Sequence, residues 1–212
     1  GDVDGYNSYM AKAKQMATDW ARLAKDGTHY KLAYDRSGTW SQKYNMVWDK
    51  AWGTNLFSET IKRQEYNYYM TKLKTYGLPL DSRSTYTKSD WEYWTASLAS
   101  SNTNFLKISN LLWKYANETP SRVPFSDWYF TDGNGGWVSF RARSVVGGHW
   151  MKVYMDKILS GEIGTAIAPI RADEVGNKAS KYINGWYNLS GQKIDEPVQR
   201  GIYIKDGKTI VK

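Results

Sequence analysis

The strongest constraint in this chain is an apolar period of three and four residues, cut into blocks by glycine, proline and short polar runs. Tyr9, Ala13, Met16, Ala17, Trp20 and Leu23 form one stripe over residues 6–26, closed at Gly27. Tyr44, Val47, Trp48 and Ala51 form a second, closed by Gly53. From Ser58, a third runs through Ile61, Glu65, Tyr68, Tyr69, Leu73 and Tyr76 until Gly77 and Pro79 stop it. A fourth starts between Thr87 and Asp90 and continues through "WEYWTASLAS". The fifth, 102–118, aligns Phe105, Ile108, Leu112 and Tyr115. The sixth, 144–159, turns Val146, Trp150, Val153 and either Met151 or Tyr154 inward. Residues three and four apart share a helix face, so the spacing predicts an all-α body of six amphipathic helices arranged as helical hairpins.

From Lys181 the period changes to two. "GIYIKDGKTIVK" reads as two short antiparallel strands around Asp206-Gly207, a two-residue hairpin signal. A lone hairpin is marginal in water, so it is expected to gain a strand from "GWYNLSGQKI" or to dock on the body. The expected organisation is a helical domain over 1–177 and a small β unit over 178–212.

Several function classes fall away on composition. The 212 residues include no cysteine, which removes thiol nucleophiles, thiolate metal sites and disulfide frameworks. No apolar run reaches the roughly 18 residues of a membrane span, and the first residues lack the basic and apolar regions of a leader peptide. The leading Gly1 suggests that further sequence lies upstream. Lysine and arginine exceed aspartate and glutamate by 8, but residues 178–212, with seven basic and three acidic side chains, hold half of that excess. The body therefore has no dense basic stripe, and a nucleic-acid partner is not expected. No His or carboxylate pair has zinc-like spacing, "TDGNGG" lacks the later glutamate of a calcium loop, and no phosphate-cradling glycine motif appears. No metal or cofactor is called for. The 11 tryptophans and 17 tyrosines are suited both to a core and to a cleft for polar organic ligands.

What remains is carboxylate chemistry assisted by Arg, Lys and Tyr. Ser-Asp-Trp occurs twice, at Ser89-Asp90-Trp91 and at Ser126-Asp127-Trp128. Ser and Asp ahead of a helix are good N-caps, and Thr87 with Asp90 resembles a capping box, so Asp90 has both a capping and a chemical reading. Asp127 precedes too short a periodic run for a good helix and has less capping work. The two carboxylates lie one helical hairpin apart, which would bring them to the same end of stacked hairpins. Arg83, Tyr86 and Lys88 form a polar cluster that is either a solvated loop or a grip on a substrate carboxylate and oxyanion. Arg141 and Arg143 precede a helix start that favours anions, and Gly147-Gly148 signals either tight packing or close approach of a ligand. His149, on a face with apolar neighbours, reads as a satisfied core histidine, and no nucleophile-elbow serine is present.

Four stretches, "AWGTNLF", "YGLPLDSRSTYTKSDWEYWTASLA", "RVPFSDWY" and "ARSVVGGHWMK", resemble the C-terminal part of glutaminase A-type proteins, over roughly residues 1–160. The tail is similar to short C-terminal segments of secreted Bacteroidetes proteins, including sorting-type domains. The resemblance implies a toroid of six helical hairpins, a fold shared with many glycoside hydrolases. About six helices can supply only half of such a ring, so the missing N-terminal hairpins would be partners within a larger protein. It also implies hydrolysis of glutamine to glutamate and ammonia, and an extracytoplasmic location. On that reading Asp127, or second Asp90, would activate water. Arg83, Arg141 or Arg143 would hold the substrate carboxylate, and Tyr86 or Lys88 the oxyanion. The alternatives are a carbohydrate-active site with Asp90 and Asp127 as the acid/base pair and Trp91 and Trp128 stacking on sugar rings, or a noncatalytic binding half.

Overall fold

The computed structural model describes residues 2–163, 185–188, 193–197, 201–205 and 208–211. The chain divides into two compact units, Gly1–Ala168 and Pro169–Lys212.

The first unit opens with helix α1 (Val3–Leu23), capped by the Asp2 carboxylate, which accepts from the Gly5 amide. It is followed by a minimal hairpin, β1 (Lys25–Asp26) and β2 (His29–Tyr30). Helix α2 (Met46–Trp52) ends at Gly53 in the left-handed region, φ 63°, which glycine adopts without the Cβ clash. Helix α3 (Glu59–Met70) starts from a Ser58 cap and stops six residues short of Tyr76. Strand β3 (Tyr86–Lys88) leads directly into α4 (Ser89–Ser97), and Ser101 caps α5 (Asn102–Glu118). Strand β4 (Trp128–Phe130) pairs antiparallel with β3. A 3-10 helix (Ser144–Trp150) then runs into α6 (Met151–Leu159).

The main core joins α2 to α6 around α4. Met46, Val47, Ala51, Tyr66, Ala96, Leu98, Phe105, Ile108, Met151 and Met155 are all buried in it. Full burial of side chains of this size contributes roughly 1.5–3 kcal/mol each. A smaller cluster of Tyr76, Leu112, Tyr115 and Tyr129 backs β4. Several buried polar side chains are paired. Lys62 Nζ, 3% exposed, sits 2.8 Å from Asp49 and 2.9 Å from Glu59. Gln42 donates through Nε2 towards Leu78 O, Pro79 O and Thr87 Oγ1 and accepts from Thr95 Oγ1, so one side chain joins a loop, β3 and α4.

Four expectations need correction. The body is not purely helical, because two short strand pairs interrupt it. Thr87 lies in β3 and Lys88 occupies the N-cap of α4 without a side-chain bond, so Asp90 is a residue of the first turn and not a cap. Only part of the α1 stripe packs: Ala17 is buried and Trp20 lies against the main core, whereas Tyr9 is 79% exposed and Met16 62%. The sixth helix begins as 3-10 over Gly147-Gly148, and the tighter winding rotates its face. Trp150 and Val153 therefore point outward while Met151 and Met155 are buried.

The second unit is a four-stranded sheet in the order β6-β5-β7-β8, with β5 (Trp186–Tyr187), β6 (Lys193–Ile194), β7 (Ile202–Lys205) and β8 (Lys208–Val211). All three pairings are antiparallel. The hairpin gains its further strand from "GWYNLSGQKI", and the Lys205–Lys208 pairing leaves two residues between the strands. Those two, Asp206 and Gly207, lie outside the described residues.

Candidate functional site

The β3–β4 ladder assembles the site. Its register pairs Tyr86 with Phe130, Thr87 with Tyr129 and Lys88 with Trp128. Side chains alternate along a strand, so Tyr86, Lys88, Trp128 and Phe130 share one face while Thr87 and Tyr129 are buried on the other. Tyr86 meets Trp128 edge-on, with ring centroids 5.6 Å apart. Asp127 stands immediately before β4 and Asp90 just beyond β3, and the Ser89 amide donates to Asp127 O at 2.8 Å. Pairing of the strands thus brings both Ser-Asp-Trp copies together.

Asp127 is fully buried. Arg143 donates to both its oxygens, with Nε 2.9 Å from Oδ1 and Nη2 on Oδ2. Lys88 Nζ lies 4.0 Å from Oδ2. A carboxylate held this way is an anchor, because both oxygens are engaged by a guanidinium fork. Lys88 also sits over two indoles, 4.4 Å from the Trp128 ring and 5.7 Å from that of Trp91. Burial and the nearby Arg143 push its ammonium pKa below the ordinary lysine value, against the pull of Asp127 and Asp90.

Asp90 differs. It is 6% exposed, and its Oδ1 is buried without a hydrogen-bond partner among the described residues. Leaving such an acceptor unpaired costs about 1–3 kcal/mol. Burial raises its carboxyl pKa and the charge of Asp127 adds to the rise, while the amides of Asp90 and Trp91 and the Lys88 ammonium offset part of it. His149 Nε2 lies 2.9 Å from Ser89 Oγ, and burial lowers its pKa.

A cleft of about 470 Å³ opens beside this cluster, lined by Ser41, Lys43, Tyr44, Asp81, Arg83 and Trp91 among others. Tyr44 and Trp91 stack in parallel there, with ring centroids 4.3 Å apart. Asp90 and Asp127 do not line this cleft; Trp91, next to Asp90 on α4, does. Arg83 is splayed over the Asp81 carboxylate through Nε at 3.0 Å and Nη2 at 2.7 Å, which leaves its remaining N–H groups at an exposed rim. Lys43 Nζ bonds Ser41 Oγ, Ser41 O and Tyr30 O behind the cleft wall.

The structure therefore gathers Asp90, Asp127, Lys88, Arg143, Tyr86, Trp91 and Trp128. Arg83 belongs to the adjacent cleft. Arg141 lies over the Trp137 ring at 4.8 Å. Sequence reasoning missed Tyr44 and Trp94. Tyr44 carries no signal beyond its place in an apolar stripe. Trp94 stands four residues after Asp90, the spacing of a shared helix face.

The glutaminase A six helical-hairpin domain model matches residues 1–153. A probable glutaminase of Arthroderma benhamiae is 31% identical over 241 aligned residues, covering 99% of this chain and 28% of that protein. Glutaminase A of Aspergillus oryzae is 34% identical over 154 residues, covering 70% of this chain and 22% of that protein. The chain thus spans about a quarter of the length of these two relatives. Both are fungal, and they do not bear on the likeness of the tail to Bacteroidetes segments. No solved structure matches significantly.

Proposed function

This chain belongs to the glutaminase A six helical-hairpin family, and from that premise we propose that the protein it is part of is an extracytoplasmic amidohydrolase releasing ammonia from glutamine. The observation that carries the reading is the buried Asp90 carboxyl, whose Oδ1 has no hydrogen-bond partner among the described residues, beside the Lys88 cation and the Asp127–Arg143 pair. A general base works best when its pKa approaches the operating pH, and burial moves Asp90 in that direction. Asp90 takes the role of base in preference to Asp127, whose two oxygens are already held.

In the reaction, the Asp90 carboxylate takes a proton from water as the water oxygen bonds to the side-chain amide carbon. The Lys88 ammonium stabilises the oxyanion that forms. The carbon–nitrogen bond then breaks, and the proton held by Asp90 goes to the departing ammonia, leaving glutamate. Asp127 and Arg143 keep β4 and Lys88 in register. The helices contributed by this chain form part of a six-hairpin toroid that the rest of the protein completes.

Ammonia release from glutamine by the full-length protein tests the reading. Asp90→Asn should lower kcat about 10²–10⁴-fold with the fold retained, and Asp127→Asn should lower stability as well as turnover. Undiminished turnover in Asp90→Asn removes it as the base. A carbohydrate-active reading rests on one observation, the parallel Tyr44–Trp91 stack in the cleft, which suits a sugar face. Reducing-sugar release from oligosaccharides without ammonia from glutamine would select it.

A further inference from the structure

The cleft beside the carboxylate cluster is walled by half-buried rings and alkyl groups: Trp20, Leu32, Tyr44, Phe57, Leu80 and Trp91. Its rings are held in place by ring contacts: Trp20 stacks on Tyr30 at 4.7 Å and meets Phe57 edge-on at 5.3 Å, while Tyr44 and Trp91 stack at 4.3 Å. A flat apolar group meets surfaces whose rotamers are already set, so binding has little left to order. Two polar side chains of the wall have no donor to spare. Gln42 Nε2 has two protons for three acceptors, and the Lys43 ammonium has three protons for Tyr30 O, Ser41 O and Ser41 Oγ. Asp81 is the one carboxylate lining the cleft among the described residues. Its Oδ1 accepts from the Arg83 amide and Nε, and its Oδ2 from Nη2. Of the five N–H groups of the guanidinium, these bonds use two. The rest of Arg83, 64% exposed, has no other partner among the described residues. Arg83 also lines an adjoining hollow of about 510 Å³ with Lys72 and Lys74. Asp81, already neutralised, is again the one carboxylate there among the described residues, so that side of the mouth is net positive.

We propose that this cleft is a binding site for a small aromatic carboxylate, its ring against Trp20, Tyr44, Phe57 and Trp91 and its carboxylate on the free N–H groups of Arg83. A volume of about 470 Å³ suits a ligand of that size. The guanidinium offers a carboxylate two parallel hydrogen bonds, and a neutral amide of the same shape can accept through one oxygen only. Lys72 and Lys74 act at longer range, favouring anions through a field that salt screens. A sugar would fit less well, because its hydroxyls would face Leu32, Phe57 and Leu80 and would find Gln42 and Lys43 already engaged. The inference is independent of the hydrolytic role of Asp90, which does not line the cleft.

Titration calorimetry on the full-length protein with N-acetyltryptophan, N-acetyltryptophanamide and N-acetylglycine separates the two halves of the site. The second probe lacks the charge and the third lacks the ring. N-acetyltryptophan should bind at least about tenfold tighter than either. If the amide or N-acetylglycine binds within about twofold of it, the proposal is overturned. Arg83→Lys keeps a cation on the buried Asp81 and removes the planar fork. Its affinity for N-acetyltryptophan should fall about 5–10-fold while its affinity for the amide stays the same. Undiminished binding of the acid by that variant would put the ligand elsewhere and refute the cleft. Saturable binding of maltohexaose with none of N-acetyltryptophan would also overturn the proposal, in favour of a sugar cleft. The comparison of the three probes needs no variant, so it decides even where a substitution at Arg83 disturbs the fold.

Discussion

Glu92 offers the sharpest test of how this fold handles a buried charge. It is fully buried on α4, with Oε1 2.6 Å from the Leu78 amide and Oε2 2.6 Å from Tyr129 Oη. The Tyr129 hydroxyl also faces Tyr76 O at 2.9 Å, and it has one proton to give. A carbonyl can only accept. If Tyr129 donates to Tyr76, Glu92 must be the donor on its other side, and the chain of bonds closes only with a protonated carboxyl. Burial acts in the same direction, raising the Glu92 pKa from 4.5 to about 8 despite the hydrogen bonds from Tyr129 and Leu78. The folded state therefore keeps a proton that the unfolded chain loses above about pH 4.5, so this group stabilises fully below that pH. Its contribution declines by about 1.4 kcal/mol per pH unit until about pH 8. The sum is on the order of 5 kcal/mol. In Glu92→Gln the amide nitrogen replaces the acid hydroxyl as donor to Tyr129 and no titration remains. Chemical denaturation followed by tryptophan fluorescence should find the variant about as stable as the parent near pH 5. By pH 8 the variant should be more stable by roughly 3–4 kcal/mol. A Gln variant that is less stable by a constant 2 kcal/mol or more across that range would refute the neutral carboxyl.

Two further substitutions probe the frame around the site. Lys62→Met strands the buried Asp49 carboxylate that Lys62 contacts at 2.8 Å, and should cost about 3–5 kcal/mol in the same denaturation experiment. Gly77→Ala combines a φ of +135° with a Cβ 2.0 Å from Glu92 Oε1, so it should destabilise by more than about 2 kcal/mol and blunt the pH dependence set by Glu92. A Gly77→Ala protein as stable as the parent would contradict this packing.

Helices were legible wherever one face packs against the rest of the unit. The α5 stripe of Phe105, Ile108, Leu112 and Tyr115 is buried as its spacing requires. The same periodicity holds only in part in α1, where Ala17 and Trp20 pack and Tyr9 and Met16 do not, because a stripe states that a face is apolar and not what covers it. In the 144–159 segment, two glycines allow 3-10 winding, and a period read as 3.6 throughout puts Trp150 and Val153 on the wrong side. That Asp90 and Asp127 lie near each other was legible, but its cause was not. Asp90 and Asp127 were expected to meet because hairpins stack, whereas they meet because Lys88 pairs with Trp128 across the chain. Three-residue strands carry too little alternation to be seen, and "TYTKSD" imitates a capping box. The glycine pair did carry a signal of tight packing, since a Cβ at Gly148 would stand 2.8 Å from Asp90 Cβ.

Gln42 has a consequence for how the cleft meets its ligands. It lies between Ser41 and Lys43 in the wall, and its amide is tied to Leu78, Pro79, Thr87 and Thr95. A ligand pressing on that wall would have to break a saturated set of hydrogen bonds before the backbone gave way. Adjustment to ligands of different size is left to the exposed side chains at the mouth, Asn45 and Arg83. The cleft is thus a rigid mould with a yielding lip, and it should select ligands at the entrance more leniently than at the floor.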